Sequence, residues 1–172
     1  MKQLLPLNQH VQAIAEQLLG VGNLQSAERL RGIYCMLPEG DLPERPYHFH
    51  IDQHPFHLGV VAYIDTVVPN GGGFTVWPGT HRLFYPLFET QHTFTPKPEA
   101  QATIKAADQQ PPVDCYGEAG DVVFWHHRLG HSAGHNRAHT IRQAVLYDFK
   151  HKDLAQLQEL PPHADMWTDW AI

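Results

Sequence analysis

Two histidines and an aspartate in this chain have the types and the spacing needed to bind one redox-active metal ion. A single residue separates His50 from Asp52, and His131 lies far downstream, flanked by Gly130 and Gly134. Residues i and i+2 of an extended chain point to the same side, so His50 and Asp52 could reach the same ion. Three ligands on one face of an octahedron leave the opposite face free for a bidentate cosubstrate and dioxygen. The pattern therefore predicts an open metal site suited to oxygen chemistry.

Arg142 follows His131 by eleven residues, across the turn-rich sequence GHNRAH. We expect a β-hairpin there that returns Arg142 beside His131 on the neighbouring strand. A buried guanidinium needs a carboxylate partner, and a bidentate pair with charge-assisted hydrogen bonds would fix the orientation of that partner. Lysine would not do this equally well. Arg142 is therefore predicted to bind the distal carboxylate of a dicarboxylate cosubstrate such as 2-oxoglutarate.

Other ligand sets are open, because histidines crowd the same stretch. On an extended chain, His48 and His54 point to the same side as His50 and Asp52, so alternation of side chains does not choose among them. A cupin-like site of His48, His50 and His131 would serve a different oxygenase or an isomerase. Such an enzyme would not use 2-oxoglutarate and would need no arginine clamp.

Interpretations without a catalytic role also exist for single residues and for the whole site. Arg142 would be purely structural if it formed a salt bridge with Asp148 or another acidic residue. His126 and His127 follow an apolar strand and are predicted to be packed residues rather than metal ligands. The complete site would have no catalytic role if the chain were an inactive binding module on the same scaffold.

The composition favours a single domain that acts on a small molecule. The 172 residues suffice for one domain with a core. Acidic residues outnumber basic ones by 18 to 12, and the net charge of −6 offers no basic footprint for nucleic acid. The 14 histidines exceed the lysines and arginines in number, which favours metal binding or proton transfer. Cys35 and Cys115 are too few for a disulfide framework.

The sequence predicts a cytoplasmic protein that does not associate with membranes. Proline and polar residues interrupt the opening sequence MKQLLPLNQHVQ, which does not have the pattern of a signal peptide. No stretch approaches the ~20 consecutive apolar residues that a membrane span needs.

Hydrophobic periodicity predicts helices only near the two ends of the chain, with strands between them. Apolar residues at helical spacing predict a helix over 8–19, a helical turn near 26–30 and a terminal helix over 152–160. Runs of β-branched and aromatic residues predict strands at 33–35, 58–68, 73–77, 121–126, near 131, and at 141–149. The Pro-, Gln- and Ala-rich segment 92–112 shows little periodicity and is predicted to be a long surface loop.

This order of elements predicts an all-β core within one domain of residues 1–172. A helical segment over 1–30 precedes a β-barrel core over 31–149, and a C-terminal helix and tail occupy 150–172. Strands at short, regular spacing with turns between them favour a sandwich or a barrel.

Three sequence blocks in this order resemble the phytanoyl-CoA dioxygenase family of iron(II)- and 2-oxoglutarate-dependent oxygenases. They are HID at 50–52, AYIDTVVPNGGGFTVWPGTHR at 62–82, and GDVVFWHHRLGHSAGHN at 120–136 with Arg142 after it. The resemblance extends from about residue 33 to residue 149. It implies a double-stranded β-helix, which is a cupin-like jelly-roll barrel with the metal inside one end.

The resemblance also implies roles for particular residues. His50, Asp52 and His131 would bind iron(II), Arg142 would bind 2-oxoglutarate, and Tyr63 would lie near that cosubstrate. The implied reaction uses dioxygen to hydroxylate a C–H bond of a small organic substrate, and it releases succinate and carbon dioxide.

The chain departs from the family pattern in two places. The family commonly has a small hydroxyl residue two places after the distal histidine, where this chain has Ala133 preceded by Ser132. Thr140 is the predicted substitute. Only about fifty residues precede the HxD motif, whereas family members usually carry a longer helical region that shapes the substrate pocket.

Overall fold

Two antiparallel sheets form the centre of the protein, seen in a computed structural model that describes residues 5–27, 29–43 and 45–172. The first sheet has four strands, in the spatial order β1 (Gly32–Met36), β7 (Arg142–Phe149), β2 (Leu58–Tyr63) and β5 (Val122–His126). The second has three strands, in the order β4 (Val113–Cys115), β3 (Phe74–Val76) and β6 (His131–Ala133). Neighbouring strands are antiparallel throughout.

Strand β2 is buried on both faces, as its continuous apolar run predicted. Leu58 and Val60 pack on one side beneath helix α1 (Gln9–Leu19). The helix begins after Asn8, whose side chain accepts hydrogen bonds from two backbone N–H groups of the first turn. It ends at Gly20, whose φ of 94° is a backbone conformation that favours glycine.

The other face of β2 packs against the second sheet. Val61 and Tyr63 of β2 join Phe74 of β3, Trp125 of β5 and Ala144 of β7 in one buried cluster. Residues from both sheets therefore share a core, and the sheets pack face to face. The cluster also contacts the predicted metal site, because Phe74 and Trp125 pack their rings on His131 with centroids 5.2 and 5.6 Å away.

The predicted loop over 92–112 is wrong in its middle, where Ala100–Asp108 forms helix α3. Its buried side is made of small residues, Ala100 and Ala107, with Ile104 partly buried between them. Such a face offers few large apolar side chains to mark it, although Ala, Gln and Lys favour helix. The helix packs on a cluster that includes Ile51, between the two residues of the HxD motif. No residue of 92–112 lines the cavity described below.

The predicted hairpin after His131 is also wrong, because β6 and β7 lie in different sheets. The chain between them crosses from one sheet to the other. Asn136, which is fully buried, anchors this crossing with side-chain hydrogen bonds to the carbonyl oxygens of Met36 at 2.7 Å and Thr140 at 2.8 Å. Arg142 therefore stands at the start of β7 beside β1, and not on a strand paired with β6.

The C-terminal helix α4 covers only Leu154–Leu157, which is shorter than predicted. Helix α2 (Thr80–Phe84) was not predicted, so helices are not confined to the two ends of the chain. No helix forms at 26–30 among the described residues, and residue 28 lies outside them. None of the described helices is long and apolar enough to cross a membrane. The edge strands are β1 and β5 in the first sheet and β4 and β6 in the second. Because these edges are not paired with one another in the part of the chain that the structure describes, a closed jelly-roll barrel stays a prediction.

Candidate metal centre

The three predicted ligands come together beside the edge strand β6. His131 begins that strand, and His50 pairs with it through two backbone hydrogen bonds, of 3.0 Å from the His50 N–H and 2.9 Å from the His131 N–H. One ligand atom each from His50, Asp52 and His131 lie within 4.8 Å of one another. The side chain of Ile51 is buried on the opposite side of the segment, as alternation along an extended chain requires.

Both histidines have one ring nitrogen fixed and the other available. The His50 Nδ1 lies 2.8 Å from the carbonyl oxygen of His48, and the His131 Nδ1 lies 2.8 Å from that of Leu129. A carbonyl oxygen only accepts, so each Nδ1 carries the proton and each Nε2 keeps a lone pair. Metal-binding histidines are typically oriented in this way. The donor set of two such imidazoles and a carboxylate therefore fits iron(II).

The protonation states also suit metal binding. Burial lowers the pKa of His131 to about 4, so its imidazole is neutral near pH 7. Burial alone would raise the pKa of Asp52, but His131 and the guanidinium of Arg31 outweigh it and hold that pKa below its ordinary value. Asp52 is therefore a carboxylate, and its Oδ2 lies 3.4 Å from the His131 Nε2.

No sequence pattern indicated Arg31, which contacts the predicted metal-binding carboxylate directly. Its Nη2 lies 3.0 Å from Oδ1 of Asp52 and its Nη1 lies 3.2 Å from Oδ2. The same Nη1 lies 3.5 Å from Oδ1 of Asp148. Arg31 precedes β1 and belongs to none of the motifs, so only the folded chain shows that it reaches residue 52.

The alternative ligands around the HxD motif do not join the group. His48 is exposed, and the cluster found among the described residues does not include it. The His54 Nε2 lies 2.7 Å from Oδ2 of Asp148, and its ring stacks on Phe56. The residues from 48 to 54 do not form a continuous strand, so the side chains at 48 and 54 do not have to follow those of His50 and Asp52. His48 lines the cavity described below, with its ring centroid 5.1 Å from that of His50, but it does not belong to the group of converging ligand atoms.

A cavity of about 480 Å³ opens onto the metal-binding group. His50 and His131 form part of its wall, and the cationic side chains Arg31, Arg45 and Arg142 and the carboxylate Glu39 form another part. Apolar and aromatic side chains contribute much of the remaining wall, namely Tyr34, Met36, Val61, Phe74 and Leu146. Pockets of this size and character bind small organic molecules.

Arg142 is buried in the wall of this cavity without a carboxylate partner. It donates hydrogen bonds to the carbonyl oxygens of Gly72 and Tyr34, and no described carboxylate forms a salt bridge with it. Burial lowers its pKa. The alternative pairing with Asp148 is wrong, since the two residues are six positions apart on β7, or ~20 Å. Asp148 is instead paired with Arg31 and His54.

The Tyr63 hydroxyl is hydrogen-bonded to two backbone groups of neighbouring strands. The Tyr63 hydroxyl donates to the Cys115 carbonyl oxygen and accepts the Phe74 N–H at 2.8 Å. Burial raises the pKa of Tyr63 to about 12, and its side chain is not among those that line the cavity. Tyr63 thus ties strands together beneath the site.

Ser132 and Ala133, the two residues that follow the distal histidine His131, both line the cavity. The Ser132 hydroxyl donates to the Ala133 carbonyl oxygen at 2.9 Å. Thr140 is exposed and does not line the cavity, so the prediction that it substitutes for the missing hydroxyl is wrong. Ser132 is a small hydroxyl residue that does line the cavity, one position before the expected one.

Comparison with known families supports the motif analysis. The family model described as phytanoyl-CoA dioxygenase (PhyH) matches residues 42–144, which is more than half of the chain. The match includes the HxD motif, Tyr63, His131 and Arg142. A comparison with the sequences of curated proteins gave no match.

Two solved structures share the fold at low sequence identity. SnoK, a non-haem alpha-ketoglutarate-dependent carbocyclase from nogalamycin biosynthesis, is 22% identical with a TM-score of 0.52, and the match covers 80% of this chain and 60% of SnoK. SnoN, an epimerase from the same biosynthesis that also depends on alpha-ketoglutarate, is 22% identical with a TM-score of 0.51 over 92% of this chain and 67% of SnoN. The chain thus spans about 60% of the length of the carbocyclase.

Proposed function

Because the chain belongs to the phytanoyl-CoA dioxygenase family, we propose that it is an iron(II)- and 2-oxoglutarate-dependent dioxygenase. It would hydroxylate a C–H bond of a small organic substrate and release succinate and carbon dioxide. The observation that carries this proposal is a juxtaposition in one cavity. Two imidazoles with free Nε2 atoms converge with Asp52, and a buried arginine without a carboxylate partner lines the same wall.

His50, Asp52 and His131 would hold the iron in this proposal. When bound, iron(II) supplies the oxygen chemistry, with open positions for a chelating cosubstrate and dioxygen. The chain itself supplies orientation and a low-dielectric wall. Backbone carbonyls fix both imidazoles in the tautomer that leaves Nε2 free, and the apolar and aromatic side chains of the cavity limit access of water.

Arg142 would bind the distal carboxylate of 2-oxoglutarate. Its backbone partners hold the guanidinium at the cavity wall while using only part of its five-donor capacity. A dicarboxylate of the right length would then be held at one end by the arginine and at the other by the metal. Ser132 lines the same cavity, and it would donate a further hydrogen bond to the cosubstrate only after its hydroxyl turns away from the Ala133 carbonyl oxygen.

The proposal is tested by assaying succinate formation by the purified protein. We expect succinate to form only when iron(II), 2-oxoglutarate and dioxygen are all supplied, because uncoupled turnover of the cosubstrate does not require the substrate to be known. Omission of each component in turn is the control. Conversion of a substrate with iron but without 2-oxoglutarate would favour a cupin-like metalloenzyme, and failure to bind any divalent metal would favour an inactive binding module.

Arg142→Ala is expected to raise the Michaelis constant for 2-oxoglutarate by one or more orders of magnitude. Each charge-assisted hydrogen bond contributes about 1.5–3 kcal/mol, and ~1.4 kcal/mol corresponds to a tenfold change. Initial rates of succinate formation across a range of 2-oxoglutarate concentrations measure this constant. Arg142→Lys should give a smaller increase, because it keeps the charge but not the planar fork.

Arg82→Ala is the matched control for Arg142→Ala, since Arg82 is exposed and lies outside the cavity. A 2-oxo acid that lacks the distal carboxylate provides a second comparison. The wild-type protein should prefer 2-oxoglutarate to it, and Arg142→Ala should lose that preference. An unchanged Michaelis constant in the alanine variant would remove the proposed role of Arg142.

A further inference from the structure

Arg31 forms a two-pronged ion pair with Asp52, the carboxylate in the proposed metal-binding group. The Nη2–Oδ1 and Nη1–Oδ2 distances are 3.0 and 3.2 Å, so each oxygen of the carboxylate faces one arm of the guanidinium. The Asp52 side chain is only 5% exposed and that of Arg31 21% exposed. Such parallel hydrogen bonds restrict the plane of the carboxylate as well as neutralise its charge.

The two oxygens of Asp52 are not equivalent. Oδ2 lies 3.4 Å from the Nε2 of His131, on the side where the proposed ligand atoms converge. Oδ1 faces the Nη2 of Arg31. A rotation of the carboxylate that turns its plane away from the guanidinium would break both hydrogen bonds. Arg31 therefore fixes the plane of the carboxylate so that one oxygen faces the histidines.

Arg31 is itself held from a second side. Its Nη1 lies 3.5 Å from Oδ1 of Asp148, whose Oδ2 lies 2.7 Å from the Nε2 of His54. A chain of contacts thus runs from the proposed ligand Asp52 to the half-exposed ring of His54. Asp148 supplies a second negative charge for Arg31, which leaves more of the charge of Asp52 available to a cation.

We propose that Arg31 is a positioning residue that fixes the orientation of Asp52 for metal binding. This inference rests on the proposed function only in taking His50, Asp52 and His131 as the metal site. The experiment that tests it measures metal affinity and not turnover. Residues that orient metal ligands commonly contribute 10–100-fold to metal affinity. Arg31 also lines the cavity, so activity alone would not separate positioning of Asp52 from contact with a substrate.

The experiment measures binding of manganese(II) to metal-free protein by isothermal titration calorimetry, without cosubstrate. Arg31→Gln is expected to weaken manganese binding by about 10–100-fold relative to wild type. Arg31→Lys keeps a positive charge but not the two-pronged geometry, and is expected to bind manganese more weakly than wild type and more tightly than Arg31→Gln. Arg29→Gln is the matched control, because Arg29 is exposed two residues earlier and should bind as wild type does.

The visible absorption spectrum of bound cobalt(II) reports the geometry of the ligands separately from affinity. We expect the spectrum of Arg31→Gln to differ from that of wild type, and the Arg29→Gln spectrum to match it. Circular dichroism checks that each variant is folded; if Arg31→Gln does not fold, Arg31→Lys decides the question.

The inference would be overturned if Arg31→Gln bound manganese with wild-type affinity and gave an unchanged cobalt spectrum. If Arg31→Lys bound manganese with wild-type affinity, Arg31 would act through its charge alone, and the proposed role in orienting Asp52 would be overturned. Absence of metal binding by the wild-type protein would instead contradict the proposed function itself. Metal binding by wild type with no dependence on Arg31 would contradict only the role of Arg31.

Discussion

Asp52→Ala is expected to abolish succinate formation that depends on iron(II) and 2-oxoglutarate, whereas His48→Ala should retain it. The two positions lie four residues apart beside His50, and the sequence alone did not separate them. In the folded chain Asp52 is buried against His131, while His48 is exposed and contributes its backbone carbonyl to His50. An alanine at position 48 keeps that carbonyl, so the orientation of His50 should survive.

The expected loss in Asp52→Ala exceeds the ~100-fold that removal of an orienting residue can cost, because a ligand itself is removed. Succinate assays and manganese titrations of the same preparations measure the effect. Asp52→Asn is a useful companion, since it preserves the shape of the side chain and a partner for Arg31 while removing the negative charge. Loss of activity in His48→Ala together with its retention in Asp52→Ala would contradict the ligand assignment.

The sequence predicted which residues meet in the site better than it predicted how they meet. Residue type and order, together with the family resemblance, indicated His50, Asp52, His131 and Arg142, and left His48 as an alternative ligand. The geometric reasons were partly wrong. Arg142 reaches the cavity from the inner face of β7 after the chain crosses between sheets, and not through a hairpin with β6.

Features that depend on long-range contacts were beyond the sequence. Arg31 contacts Asp52 across 21 positions and Asp148 across 117 positions, and no local pattern signals either contact. Helix α3 was missed because its buried side is mostly alanine, so few large apolar side chains mark the face that packs on the cluster around Ile51. Local periodicity indicates which face of an element is apolar, but does not indicate which element it meets.

A second group of histidines lies in the core, and the burial of these rings determines how they affect the pH dependence of stability. The rings form a contact series with centroid separations of 4.1 Å between His57 and His92, 4.3 Å between His92 and His127, and 4.2 Å between His127 and His126. Three of their ring nitrogens are buried without a hydrogen-bond partner among the described residues. The neighbouring Arg128 is buried too, and its Nη2 donates to three backbone carbonyl oxygens.

Protonation of any of these rings in the folded protein is unfavourable. Burial, reinforced by neighbouring positive charge, lowers the pKa of His57 to about 2 and that of His92 to about 4. Burial likewise holds the pKa values of His126 and His127 well below the ordinary value. In the unfolded chain, each of these imidazoles titrates near pH 6.5. Below that pH the unfolded state therefore binds more protons than the folded state.

The free energy of unfolding is accordingly expected to be greatest above pH 6.5 and to fall steeply as the pH drops from about 6.5 towards 4. Each histidine that stays neutral when folded contributes a loss of ~1.4 kcal/mol per pH unit, so the four together contribute up to about 5 kcal/mol per unit. A domain of ordinary stability has about 5–15 kcal/mol in total. The protein should therefore unfold cooperatively within this window.

Urea unfolding at a series of pH values from 8 to 4.5 measures this dependence. His127→Gln should reduce the slope by up to ~1.4 kcal/mol per pH unit, because glutamine does not titrate and can still donate to the Gln91 carbonyl oxygen that His127 contacts at 2.9 Å. His139→Gln is the control, since His139 is exposed and should leave the slope unchanged. Taking the difference between wild type and variant cancels any contribution from the metal-binding histidines. A free energy of unfolding that stays flat between pH 7 and pH 5 would mean that the buried rings are protonated as readily in the folded protein as in the unfolded chain.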